Sequence, residues 1–332
     1  MKIRIALAVM AFLILPLRPC AAEPFAGEFL TLGAGARAIG MGGAYSALAD
    51  DASAAYWNPA GLAQVDRTQA AFMHSTLHGL DAYDYFNAAH PVGGGVWSLS
   101  WLRVAIDDIR LTSTPNSQPV SSVNRPTVRA EGSVSNNAFT LAWGTRAFEK
   151  DRLAAYVGLA GKFIFIAAPE GNNAFGVGAD AAALGAYRLS DEAQLRAAAN
   201  LQDATETKIY WNTVPKSGES SHRDVIDQNL KLGLALAHSV PPGENSSFTI
   251  AAEVNSKYDF EKNFGAEWNL GNALALRVGL MERKSAAETL RDISAGAGFR
   301  LGFTGGQSFA VDYAFTNGEI GGSHRLSIAV GL

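Results

Sequence analysis

The sequence predicts an all-β fold, a 14-stranded antiparallel transmembrane β-barrel. Three observations predict it. Apolar and small or polar residues alternate with period 2 through successive segments from residue 68 to 332. The connections between those segments alternate between tight and long. Charged residues make up only 17% of the chain and glycine reaches 34 residues, yet no apolar run of about 20 residues forms a spanning helix.

The clearest strands lie late in the chain. Leu230, Leu232, Leu234 and Leu236 share one face, opposite Lys231, Gly233 and Ala235. The same pattern runs through 248–254, 264–270, 274–280, 293–301, 309–315 and 326–332. Earlier segments read similarly at about 68–75, 83–90, 95–104, 137–147, 153–166, 175–187 and 194–201. The total is 14, an even number as expected for a single-chain bacterial barrel. Tight connections such as Gly93-Gly94, Gly271-Asn272 and Gly305-Gly306 follow even-numbered strands. Long ones follow odd-numbered strands, notably about 105–136 and 202–226. Short turns belong to the periplasmic side, so both termini are expected there. A soluble β-sandwich is the competing fold. Its wet face would carry more Lys, Glu and Thr than Gly and Ala, and it gives no reason for alternating connection lengths.

Residues 1–22 read as a secretory signal peptide. Lys2 and Arg4 form the basic start, Ile5 to Leu17 the apolar stretch, and Cys20-Ala21-Ala22 the cleavage site. The stretch is about 13 residues, too short to span a bilayer. Cleavage removes the only cysteine, and with it any disulfide, thiol nucleophile or cysteine metal site. Without Lys2, Arg4 and Arg18, the 27 basic residues become 24 against 31 acidic, a net charge of −7. That balance argues against nucleic acid as a partner.

Residues 23–67 are rich in Gly and Ala and lack strand alternation. They carry Gly35-Ala36-Arg37-Ala38-Ile39-Gly40-Met41-Gly42-Gly43-Ala44, Ala49-Asp50-Asp51-Ala52, and Tyr56-Trp57-Asn58-Pro59-Ala60-Gly61. These motifs, with His324-Arg325-Leu326-Ser327, resemble the PorV/PorQ branch of the FadL-like outer-membrane proteins. The resemblance implies an N-terminal plug inside the barrel, residues 23–67, ahead of a barrel over 68–332. Within it, Ser46 to Tyr56 is expected to form a short helix that Asn58-Pro59 ends, because the residue before proline avoids the α region. Arg37, Asp50 and Asp51 are expected to pair with lumen charges, and Gly40, Gly42, Gly43, Trp57, Asn58 and Pro59 to complete the gate. Nucleotide-binding readings fail. Gly33-Ala34-Gly35 is followed by Ala38 where a dinucleotide fingerprint needs glycine, and Gly40-Met41 is no P-loop.

The small-residue face carries Lys162, Asp180, Arg196, Lys231, Glu253, Glu267, Arg277, Asp292, Arg300, Asp312 and Arg325. They are read first as an ion-pair network bracing wall and plug, since buried charges need partners, and second as a channel lining. The first reading predicts a closed or narrow lumen. Chemistry is hard to find. His74 and His78 lie i,i+4 at a strand end, a weak metal signal, and no cofactor is expected. Asp107-Asp108 with His222 and Asp224 could mimic an outer-membrane hydrolase, but solvated loop charge is the simpler reading, and the chain is not expected to be an enzyme. Two functions remain. One is a channel for a hydrophobic small molecule that passes the plug. The other is an accessory barrel whose outer loops hold secreted proteins for type IX-like export. Both place the chain among outer-membrane lipid.

Overall fold

The computed structural model describes residues 27–332, apart from 78–80, 117, 213–222, 241–245, 258–259, 285–288 and 319–320. The expected signal peptide and the start of the plug therefore lie outside the described residues. The strands are β1 (Gln69–Leu77), β2 (Asp81–Val92), β3 (Gly95–Ser113), β4 (Thr127–Lys150), β5 (Leu153–Ala167), β6 (Asn173–Arg188), β7 (Ala193–Gln202), β8 (Thr207–Asn212), β9 (Arg223–Ile226), β10 (Asn229–Val240), β11 (Ser246–Asn255), β12 (Glu261–Leu270), β13 (Leu274–Lys284), β14 (Thr289–Gly302), β15 (Ser308–Gly318) and β16 (Gly321–Gly331).

Fourteen of these form the wall, each antiparallel to its neighbours. β1 pairs with β16, and pairing of β5 with β6 closes the ring. Closure leaves no sheet edge in the wall, the condition for a sheet to stand in hydrocarbon. Each of the 14 segments read from the sequence is a wall strand. The connections after β2, β4, β6, β12 and β14 are short, and Gly93 and Gly94 adopt φ of 62° and 82°, the left-handed conformation a two-residue hairpin turn requires.

The remaining two strands lie in the long connection after β7. β7 ends at Gln202, and β8 takes its place beside the upper part of β6, with Val177 opposite Lys208 and Asn173 opposite Asn212. β9 pairs with β8 alone. The β3–β4 connection is also largely strand. β2 pairs with β3 only as far as Ala105, and β5 reaches β4 only at Ser135. Residues 106–113 and 127–134 therefore pair with each other as a hairpin projecting past the ring.

The two faces are inverted relative to a water-soluble protein. On β13, Leu276 is 50% exposed while its neighbour Arg277 is 2% exposed. Leu234, Ile250 and Val278 likewise point outward, whereas Lys231, Glu253 and Glu267 are buried inside. Outward aromatics cluster near the turn rim, where Trp97 sits opposite Trp143 and Phe248 opposite Trp268. An apolar outer band bounded by aromatic residues is the pattern of a bilayer-spanning barrel. The C-terminal Leu332 lies at the turn rim, its N–H donating to the Thr68 carbonyl at 2.8 Å. The first described residue, Gly27, instead lies against Ile226 of β9, in the loop-side half.

Candidate functional site

Residues 27–65 lie against the inner face of the wall on several sides of the ring. Their course follows from where small residues leave room. Gly144 and Gly158 of β4 and β5 receive the backbone of Pro59 and Ala60. Gly265 and Gly279 of β12 and β13 receive Met41 and Gly42, and Gly296 of β14 faces Gly40. Gly233 of β10 accommodates Ser46 and Ala47. A methyl at most of these wall positions would overlap main-chain or Cβ atoms of the segment. Gly42, with φ of 63°, threads between the backbones of Phe264 and Leu280, a conformation and a clearance that only glycine supplies.

The expected helix over Ser46–Tyr56 does not form. Helix is confined to Ala36–Gly40 and Ala54–Trp57, with 3-10 turns at Glu28–Thr31 and Pro59–Gln64. The reason is that backbone groups between these pieces bond elsewhere. Ser46 N–H donates to the Glu253 carboxylate at 2.8 Å, Ala52 N–H to Gln69 at 3.1 Å, and Gln64 donates to the Ala49 carbonyl at 3.1 Å. Asp51 accepts from the Ser53 N–H at 2.9 Å, a local bond that competes with helix. Asn58 ends the second helix in extended backbone. Its amide donates to the Ser46 carbonyl at 2.9 Å, and its oxygen accepts from the Ala60 N–H at 3.0 Å. Trp57 is buried, its indole N–H donating to the Ala34 carbonyl at 2.7 Å.

Charges fix the segment to the wall. Arg37 pairs with Asp50 at 2.7 Å and with Glu267 of β12 at 3.0 Å, and lies 3.5 Å from Asp51. Asp50 is also 3.7 Å from Arg196 of β7. Burial disfavours both charges, but Asp50 and Glu267 raise the Arg37 guanidinium above its ordinary value. Burial likewise opposes the Asp50 charge, yet Arg37 and Arg196 hold its carboxyl below the usual range. Glu267 is shared with Arg277 at 2.6 Å, and Arg277 reaches Asp312 of β15 at 2.6 Å. β14 lies between, and Gly298 leaves the gap the guanidinium crosses. Arg325 donates to the carbonyls of Leu32 and Gly33, at 2.5 and 3.0 Å.

The other inward charges are placed as follows. Lys162 of β5 is held by Asp180 at 2.9 Å and by Asp203 at 2.7 Å. Lys231 lies 5.1 Å from the centre of the Trp57 ring. Asp292 pairs with Arg283 at 2.6 Å, and Arg300 is half-buried. Asp203, Tyr83 and Tyr56 were not singled out in the sequence. Asp203 falls just past β7, in what reads as loop. Tyr83 donates to the Gly33 carbonyl at 2.8 Å, and Tyr56 to the Leu30 carbonyl at 2.6 Å. The only signal for Tyr83 was its inward register on β2, and that for Tyr56 was its place in the Tyr56-Trp57-Asn58-Pro59 motif.

On the loop side of the segment lies a cavity of about 70 Å³. Tyr56, Tyr85, Lys162, Asp203, Asn255 and Lys257 are among its lining residues. The proposed hydrolase group does not assemble among the described residues. Asp107 and Asp108 sit at a bulge on the projecting hairpin, and Asp224 of β9 accepts from the Trp211 indole at 2.6 Å. His222 lies outside the described residues, as does His78. His74 bonds Asp84 on the adjacent strand at 2.7 Å.

Comparison with known proteins agrees with this architecture. The Uncharacterised protein family (UPF0164) matches residues 23–104, which cover the lumenal segment and the first strands. A search of curated proteins returns no match. Among solved structures, the CymD monoaromatic hydrocarbon channel is similar with a TM-score of 0.54 at 10% identity, covering 90% of this chain and 96% of that one. The Pseudomonas putida toluene transporter TodX gives 0.51 at 14% identity, covering 90% and 97%. The Ralstonia pickettii toluene transporter TbuX gives 0.51 at 9% identity, again covering 90% and 97%. At these identities the likeness is one of fold, a closed antiparallel barrel of the kind such channels use.

Proposed function

We propose that the chain is an outer-membrane solute channel closed by its own N-terminal segment. In this reading residues 1–22 direct export, residues 23–67 form the plug, and residues 68–332 form the barrel, with the turn rim and Leu332 toward the periplasm. The observation that carries it is the course of residues 27–65, pinned inside the ring by Arg37, Glu267 and Arg325 and seated on wall glycines. Gly40, Gly42, Gly43, Trp57, Asn58 and Pro59 make the tight contacts that a gate has to break.

The class of solute follows from the neighbours in fold and from the FadL-like resemblance, which favour a hydrophobic molecule. The cavity sets a condition on that reading. About 150 Å³ of apolar cavity takes a benzene ring, roughly twice the space present here. A hydrocarbon passes only when Leu30 and Thr31, which line the cavity, move aside with the segment that carries them. Liposomes containing the chain without residues 23–60 are expected to take up labelled solute faster than liposomes with the intact chain. Equal uptake by the two, or none by either, contradicts the proposal.

The PorV-like role, docking of secreted proteins, has one observation of its own. The β3–β4 hairpin stands clear of the wall and exposes Val120 at 69% and Val123 at 94%. Removal of 106–134 is expected to abolish crosslinking to secreted protein in the native membrane if docking is the role. Crosslinks that survive the deletion count against the hairpin.

A further inference from the structure

We propose that the membrane face of β11–β14 is a binding site for one anionic lipid, its phosphate held by Lys262 and Arg291 and an acyl chain lying in the groove below them. The site rests on the barrel standing in a bilayer and is independent of what the lumen passes.

Two separate observations meet at this place. The first is a surplus of positive charge. Outward residues on β12, β13 and β14 are apolar as far as Phe264, Leu280 and Ile293, and change character two residues nearer the loops. There Lys262, Glu282 and Arg291 stand directly opposite one another on the three adjacent strands. Glu282 lies between the two cations, 3.7 Å from Lys262 and 3.0 Å from Arg291. One carboxylate cannot neutralise both, so the trio carries one positive charge over. Arg291 is 65% exposed and Lys262 45%, and a lysine or arginine has more donors than one carboxylate occupies. On β1 and β2 the outward pair His74 and Asp84 is matched one to one and leaves no such surplus. Cations at the edge of an apolar band attract anionic headgroups, and phosphate oxygens accept charge-assisted hydrogen bonds from them.

The second is a groove in the apolar band itself. Ala252 of β11 and Ala266 of β12 are small outward residues among bulky neighbours. Leu234, Phe264, Val278 and Leu280 rise around them and bound about 580 Å³ of apolar space. About 150 Å³ takes the six carbons of benzene, so the groove has room for roughly twenty carbons. In hydrocarbon its occupant is a lipid chain, which recovers the dispersion contacts that a gap forfeits. Phe264 and Leu280 border the groove and stand two residues from Lys262 and Glu282, so one lipid spans both features.

The test uses the full chain in detergent and native mass spectrometry, with phosphatidylglycerol and phosphatidylcholine of identical chains as probes. Wild type is expected to retain phosphatidylglycerol several-fold more than the zwitterionic lipid. Lys262→Gln with Arg291→Gln is expected to abolish that preference. Ala252→Phe with Ala266→Phe fills the groove from the membrane side and is expected to lower retention of both lipids. Arg146→Gln removes an exposed cation at the turn rim and is expected to change nothing. The two double variants act on opposite ends of the lipid, so the test stands if either fails to fold. Equal retention of both lipids by wild type, an unchanged preference in the Lys262 and Arg291 variant, or an equal loss in Arg146→Gln overturns the proposal. Liposome flux reads the channel separately. Flux without selective retention sinks this site and spares the channel, while retention without flux does the reverse.

Discussion

Replacing Gly158 by alanine is expected to expose residues 54–65 to protease in an otherwise folded barrel. A Cβ there would overlap the main chain of Pro59 and Ala60, which cannot rotate away as a side chain would. Overpacking of a tight site costs about 1–3 kcal/mol, and a clash with backbone on both sides belongs at the upper end. Gly161 on the same strand points outward and a Cβ there meets nothing within 4 Å. Gly161→Ala is expected to leave the cleavage pattern unchanged, which separates lost seating from lost strand propensity. Equal protection in both variants would mean that the segment does not rest on this wall.

Arg277→Leu is expected to be the most damaging single change to the barrel. The guanidinium side chain is fully buried between Glu267 and Asp312. Removing one partner of a buried charge pair typically costs about 3–5 kcal/mol, because the remaining charges stay buried. Glu267 keeps Arg37, so the uncompensated group is mainly Asp312. The double variant Arg277→Leu with Asp312→Leu is therefore expected to recover much of the loss in urea unfolding. No recovery would place the cost in the Glu267 side of the network.

The barrel was legible because its pattern is redundant. An inward Arg277 beside an outward Leu276 and Val278 repeats on strand after strand, and one misread position does not shift a register held by neighbours. β8 and β9 were not legible, because six and four residues are too few for alternation to stand out from a polar loop. The inward charges were legible as a set, but not their pairing. Arg277 meets Asp312 two strands away because Gly298 lies between, and Lys162 meets Asp203 because β7 stops one residue earlier. The lumenal segment was legible only through its motif. Its interrupted helix depends on acceptors such as Glu253 and Gln69, which sit far along the chain and have no local signature.

The central claim is that residues 27–65 occupy the lumen and close it. Cys20 is the only cysteine in the sequence and stands ahead of both segment and wall, so one engineered pair within residues 27–332 is readable. Ala36 donates its N–H to the Ser327 hydroxyl at 2.8 Å, placing segment and wall in direct contact. The measurement is solute flux through membranes carrying Ala36→Cys with Ser327→Cys, under oxidant and then reductant. We expect a disulfide to form, flux to fall to background, and reduction to restore it. A pair that does not crosslink, or that crosslinks while flux continues unchanged, contradicts the account.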